Sequence, residues 1–131
     1  LILEAESCIL SLYNNVMDCF EPLESFSFKG TEHLQRIKKT NDNLTIKACS
    51  GTDALLIKDL YSSDISVEIP PVRSAICMCM RQNGKILGSL SLFEKNHQGF
   101  ERAVFSIHDK EVFTKYTIHA TKLLNRFLII K

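Results

Sequence analysis

The stretch from Val72 to Phe93, VRSAICMCMRQNGKILGSLSLF, leaves few folds open to a chain of this kind. Two apolar runs flank Gln82-Asn83-Gly84-Lys85. Asn-Gly between such runs predicts a tight hairpin, because both turn residues must accept a positive φ. Each arm is apolar on both faces. The first puts Ala75, Cys77 and Cys79 on one side and Ile76, Met78 and Met80 on the other. The second sets Leu87, Ser89, Ser91 and Phe93 against Ile86, Gly88, Leu90 and Leu92. A sheet with one wet face shows a polar residue at every second position. These arms do not, so the hairpin is expected at the centre of a sheet covered on both sides.

The other periodicities predict an α+β fold around it. Ala5, Ile9, Leu12, Val16 and Phe20 recur at helical spacing, widened by Leu10, Tyr13 and Met17, which predicts a first helix over residues 2–20 ended by Pro22. Residues 23–29 alternate Phe26 and Phe28 with Ser25 and Ser27, a short strand, and residues 33–39 read as a more polar strand after Gly30. Asn41, Asp42 and Asn43 offer caps for a short helix over 44–49 stopped by Gly51, and 54–57 is a brief apolar strand. Asp59–Pro71 carries no regular pattern, and so long a connection in a small domain is usually a binding lid or a mobile segment.

After the hairpin, a polar turn is expected over 96–101. Ser106, with Asp109 three residues on, then opens a last helix through a near capping box, and Phe105 is placed to staple onto the stem of Lys110. Its stripe is Val112, Tyr116, His119, Leu123 and Phe127, with Phe113, Ala120 and Leu124 beside it. The expectation is a central antiparallel sheet of five to six strands. N- and C-terminal helices share one face; the short helix and the long loop take the other.

Length and charge narrow the function classes. A chain of 131 residues, 45% hydrophobic and 24% charged, suffices for one domain with a real core. The net charge is +1, so no global field draws nucleic acid or an anionic membrane. Arg36, Lys38 and Lys39 form the densest basic spot, without the interleaved aromatics of a nucleic-acid surface, and read as a solvated strand edge. No signal peptide or membrane-spanning run is present in the sequence. The chain opens in LILEAES and closes in Leu128-Ile129-Ile130-Lys131 with apolar patterning still running, which suggests a single domain, 1–131, cut from a longer protein.

Five cysteines, an odd number in a chain that needs no staples, suit a reducing cytoplasm. Cys77 and Cys79 point to the same strand face about 7 Å apart, too far for an easy bond to each other. No CxxC or HxxxH accompanies them, so they read as small buried hydrophobes, not metal ligands. His33, His97, His108 and His119 are scattered, and no nucleophile elbow, P-loop or dinucleotide fingerprint occurs.

Four segments in this order resemble a GAF domain. Ala54-Leu55-Leu56-Ile57-Lys58-Asp59-Leu60, preceded by Ser50-Gly51, looks like the family's strand-plus-aspartate segment. Val72-Arg73-Ser74-Ala75-Ile76 looks like its Arg-Ser strand start, and Asn83-Gly84-Lys85-Ile86-Leu87-Gly88-Ser89-Leu90-Ser91-Leu92 like its hairpin. Phe105-Ser106 with Asp109 looks like the start of its last helix. The resemblance covers about residues 50 to 113; the N-terminal half fits by element order alone.

The resemblance implies a bacterial signalling module, sensing a small molecule or dimerising, with an output domain in the same full-length chain. It places a pocket on the sheet face away from the terminal helices, lined by Leu44, Ala48, Ile57, Asp59, Tyr61, Ser74, Cys77 and Cys79. Strand parity leaves open whether Cys77 and Cys79 or Met78 and Met80 face it, and Asp59 is equally a ligand acceptor or a turn cap. A homodimer through the terminal helices would use Ile9, Val16, Tyr116, Leu124 and Leu128. No cofactor is specified. The cyclic-nucleotide signature is only half matched, with Lys95, Phe105 and Asp109 present but Glu94 and Lys110 at its other places, and no Cys-His neighbour suits a bilin. Free methionine sulfoxide reductases share the fold, and Cys49 near one of their cysteine positions is the one thread towards an enzyme; no catalytic residue is assigned. Two readings compete: a sensor whose ligand enters beneath the 60–71 loop, and a ligand-free dimerisation module plugged by Met78, Met80 and Phe93.

Overall fold

Asn83 and Gly84 both adopt left-handed backbone, φ 54° and 78°, and close the central hairpin with Gln82 paired to Lys85. The computed structural model describes residues 2–28, 30–60, 73–95 and 104–130. The hairpin strands are β4 (Ala75–Gln82) and β5 (Lys85–Lys95). With β1 (Ala5–Asn14), β2 (Cys19–Ser27) and β3 (Leu55–Ile57) they form one antiparallel sheet in the order β2-β1-β5-β4-β3. Helix α1 (Thr31–Cys49) packs on one face and α2 (Ile107–Ile130) on the other.

The expected first helix is instead the β1–β2 hairpin. Buried Ala5, Ser7, Ile9 and Ser11 alternate with partly buried Cys8, Leu10 and Leu12, so β1 has apolar residues on both faces. Such a strand mimics helical spacing, and only the turn separates the two readings. Asn14 makes that turn: its Oδ1 accepts from the amides of Val16 and Met17 at 3.0 and 3.1 Å, and Asp18 is left-handed at φ 50°. Pro22 sits in β2, an edge strand, where the register shifts opposite Leu10 and Ser11. A bulged edge is where proline fits a sheet.

The strand expected over 33–39 is also overturned: α1 runs unbroken from Thr31 to Cys49. Its buried stripe is Ile37, Thr40, Asn41, Leu44, Thr45 and Ala48, and the polar members hid the helical period. The terminal helices therefore do not share a face. Among the described residues a 3₁₀ turn, Ile2–Glu4, is all that precedes β1, and α2 packs on one face with α1 opposite. The irregular stretch over 59–71, beyond Asp59 and Leu60, and the turn over 96–101 fall outside the described residues.

The last helix begins as expected. Ser106 and Asp109 exchange bonds of 2.9 and 3.1 Å between the side chain of each and the amide of the other. Phe105, however, is fully buried in the α2-side core with Phe113. The helix is rotated from the expected stripe. Phe113, Thr117, Ala120, Thr121 and Leu124 face inward, while Val112, Tyr116, Leu123 and Phe127 are exposed. The inward hydroxyls of Thr117 and Thr121 satisfy themselves on carbonyls one turn back, at 2.8 and 2.7 Å.

Gly88 marks the tightest approach in the sheet. A Cβ there would lie 2.0 Å from the carbonyl oxygen of Ser11 in β1. Gly88→Ala should therefore cost about 3 kcal/mol, read as a lower urea midpoint at unchanged slope. Gly51→Ala, with open space around it, should change little by comparison.

Candidate functional site

Sheet parity resolves one question at once. Cys77 packs with Ile9, Ala75, Phe93, Leu44 and Ala48 on the α1 side, while Met78 and Met80 pack on the α2 side. Of the residues expected to line a pocket, Leu44, Ala48, Ile57 and Cys77 are close-packed members of the α1-side core. Cys77 is sealed among hydroxyls: Ser91 Oγ donates to its Sγ at 3.2 Å, and Thr45 Oγ1 lies 3.8 Å from it and 3.3 Å from Ser89 Oγ. Burial pushes the thiol up to about 11, overriding the opposite pull of these two hydroxyls.

Asp59 and Ser74 lie at the other end of the strands. Asp59 Oδ1 is 3.8 Å from Arg73 Nε, and the Arg73 carbonyl accepts from the Leu60 amide at 2.6 Å, so the chain leaves at Leu60 and returns beside it. Buried Ser74 and Glu94 meet there, the Ser74 carbonyl accepting from the Glu94 amide at 2.8 Å. Tyr61 falls outside the described residues.

Cys79 is neither a free thiol nor a plain hydrophobe. It is bonded to Cys49, with 4.9 Å between the Cα atoms, and ties the last turn of α1 to β4. Thirty residues separate the two, and no local pattern in the sequence announces the pairing. Arg81 reinforces the tie: its Nη1 donates to the Gly51 carbonyl at 2.7 Å and its Nη2 to the Cys49 carbonyl. The Cys49 carbonyl is one of the orphan acceptors of the helix C-terminus, and Gly51 follows just past the C-cap Ser50.

Beside this junction, where the β1–β2 and β4–β5 turns lie, opens a cleft of about 540 Å³. Its walls come from Tyr13, Asp18, Cys19 and Phe20 of the first hairpin, from Asp42, Ile46, Cys49 and Ser50 of α1 and its end, and from Ile86. Tyr13 and Phe20 are cross-strand partners with ring centroids 5.1 Å apart. The Tyr13 hydroxyl donates to Asp18, which pushes the phenol above its ordinary range. Asp42 is also raised, by partial burial, with Lys38 pulling the other way. The cleft thus offers two aromatic rings, two carboxylates and aliphatic surface. A groove of about 290 Å³ lies behind the same junction, where Thr52, Met78, Cys79 and Arg81 meet Ile118, Thr121 and Lys122 of α2.

Read from sequence, these walls have other roles: Tyr13 and Phe20 are core positions of a helix over 2–20 and Asp42 a helix cap, so no cleft is expected between a hairpin and α1. The signal was Asn14-Asn15 ahead of Asp18, turn chemistry between two apolar runs. Of the expected dimer residues, Ile9 and Leu124 are buried in the protomer's own core and Leu128 packs against it in part. Val16, 87% exposed, and Tyr116 remain on the surface.

Neither a protein-family profile nor a curated protein sequence matches the chain. Solved structures do match in fold. A type II free methionine-R-sulfoxide reductase from Thermoplasma acidophilum aligns over 95% of this chain and 82% of its own, with a TM-score of 0.70 and 17% identity. The GAF domain/HD domain protein of Geobacter sulfurreducens aligns over 96% and 84%, at 0.71 and 12%. The GAF domain of an Acinetobacter phosphoenolpyruvate-protein phosphotransferase aligns over 96% and 74%, at 0.72 and 9%.

The Cys77 thiol yields a prediction with a definite sign. The fold keeps it protonated to about 11, while an unfolded thiol ionises near 9.0, so its contribution is complete below pH 9 and is lost as pH rises towards 11. Cys77→Ala should flatten the fall of unfolding free energy across that window, measured by urea titration at stepped pH.

Proposed function

We propose that this chain, which has the GAF fold, is a regulatory module that takes a small organic cation in the cleft between the first hairpin and α1. The GAF neighbours support the regulatory reading, and the wall chemistry of the cleft supports the ligand class. Tyr13 and Phe20 line the cleft with two aromatic rings, the group whose face attracts a cation. Asp18 and Asp42 supply the counter-charge, and Asp42, short of solvation, gains most from a cation beside it. An amine with an aromatic or aliphatic body also covers Ile46 and Ile86.

Occupancy reaches α2 through the junction. Cys49 and Ser50 wall the cleft, while Thr52, Cys79 and Arg81 wall the groove against α2. A ligand that binds better to one position of the α1 end than to another shifts that position, and α2 carries the shift towards an output domain in a longer chain. Native mass spectrometry of the protein as purified, with thermal shift against phenethylamine and phenylacetate, tests this. The amine should raise the melting temperature, and Asp42→Asn should abolish the rise. Stabilisation by phenylacetate alone, or by neither probe, would refute the cation site.

A second reading, self-association, is favoured by the exposed stripe Val112, Tyr116, Leu123 and Phe127 on the outer face of α2. Leu123→Glu should then yield a folded monomer by light scattering, whereas Leu124→Glu, inside the core, should unfold the domain. A wild-type monomer ends that reading. The reductase among the neighbours brings a third, thiol catalysis at Cys49, for which turnover of free methionine sulfoxide is the direct assay.

A further inference from the structure

Cys49 and Cys79 differ in burial and face different openings, the larger cleft and the smaller groove. Cys49 is half-buried and walls the 540 Å³ cleft; Cys79 lies in β4 and is 6% exposed. Their charge setting is unusual as well. The last residue of α1 sits at the negative end of the helix dipole, which disfavours a thiolate. The Arg81 guanidinium, bonded to the carbonyls of Cys49 and Gly51, places a full positive charge at that point and reverses the balance. Cys77, two residues from Cys79, is sealed in the core and takes no part. The disulfide therefore joins a half-buried residue on the larger cleft to a more deeply buried one on the smaller groove, with the Arg81 guanidinium held on the backbone of the first.

We propose that Cys49–Cys79 is a thiol–disulfide exchange site for low-molecular-weight thiols, entered through the cleft at Cys49. A thiolate RS⁻ attacks Cys49 Sγ; the bond to Cys79 breaks, RS–S–Cys49 forms, and Cys79 leaves as a thiolate that takes a proton from water. A second RS⁻ attacks the sulfur of the bound R group, which releases RSSR and leaves Cys49 as a thiolate. Two thiols supply two electrons to one protein disulfide, and the reverse sequence rebuilds it. Opening frees the C-terminal turn of α1 from β4 and loosens a wall of each groove, since Cys49 belongs to one and Cys79 to the other. This rests on the disulfide and its surroundings, whatever molecule the cleft binds.

The test is equilibration of the whole chain in glutathione buffers stepped from reducing to oxidising, followed by acid quench, alkylation and peptide mass mapping. Cys49 and Cys79 should lose alkylation together in one two-electron step. The Cys79→Ser chain should carry glutathione on Cys49, and the Cys49→Ser chain should lose the adduct, with none on Cys79. Exposed Cys19 serves as the internal control for modification in both. Independent alkylation of Cys49 and Cys79 in the wild-type chain overturns the proposal, as does a pair that stays bonded in fully reducing buffer. Adducts on Cys79 as abundant as those on Cys49 contradict the route of entry. The wild-type arm decides the pairing even if a variant fails to fold.

Discussion

Burial of the central strands on both faces is the constraint on which the rest of the structure depends. Leu92 and Phe93 are neighbours in sequence, point to opposite sides of β5, and are both fully buried. A strand in that position must be covered by a layer on each side, and the two layers here are one helix each. The two interfaces differ in grain. Beneath α2 lie Ile76, Met78, Met80, Leu90 and Leu92; beneath α1 the strands present Ser7, Ser11, Ser89 and Ser91 beside Ile9, Cys77 and Phe93. Three of these buried hydroxyls have side-chain partners: Ser7 bonds Ser27 at 2.8 Å, Ser89 lies 3.3 Å from Thr45 Oγ1, and Ser91 donates to the Cys77 sulfur.

This close packing moves the open space to an edge. The α1-side interior is filled by Leu44, Ala48, Ile57 and Phe93, whereas the cleft lies where the sandwich ends, between a hairpin turn and the last turns of α1. The same edge carries the covalent tie from Cys49 to Cys79 and the guanidinium of Arg81. The cleft on the α1 side and the helix packing on the α2 side therefore meet at one junction, through a few named contacts instead of through a diffuse core. A module with that arrangement has a short physical route from a bound molecule to its C-terminal helix.

Much of this was legible in the sequence, and the losses have specific causes. The β4–β5 hairpin, β3 and the Ser106–Asp109 cap follow from turn and capping chemistry that only a few residue types satisfy. The GAF resemblance rested on these same segments, and the fold agrees. The N-terminal half misled because β1 is apolar on both faces, so Ala5, Ile9 and Leu12 fit a helix as well as a strand. Helix α1 misled in the opposite way: Thr40, Asn41 and Thr45 are buried polar residues on its inner stripe, so its apolar period is hidden and Asn41 reads as a cap. Both errors hid the cleft, whose walls come from those two elements. The disulfide was illegible for another reason, since it joins residues thirty positions apart that only the finished fold brings together.

Binding of a small molecule at the hairpin end of the sheet, felt at α2, is what the proposed function requires. Amide chemical shifts of the isotope-labelled chain during titration with phenethylamine test it most directly. The first shifts are expected at Tyr13, Asp18, Phe20, Asp42 and Ile46, with a second set at Ile118, Thr121 and Lys122 following the same saturation curve. Shifts confined to Asp59, Leu60, Arg73 and Ser74, or no saturable shift at all, would contradict it.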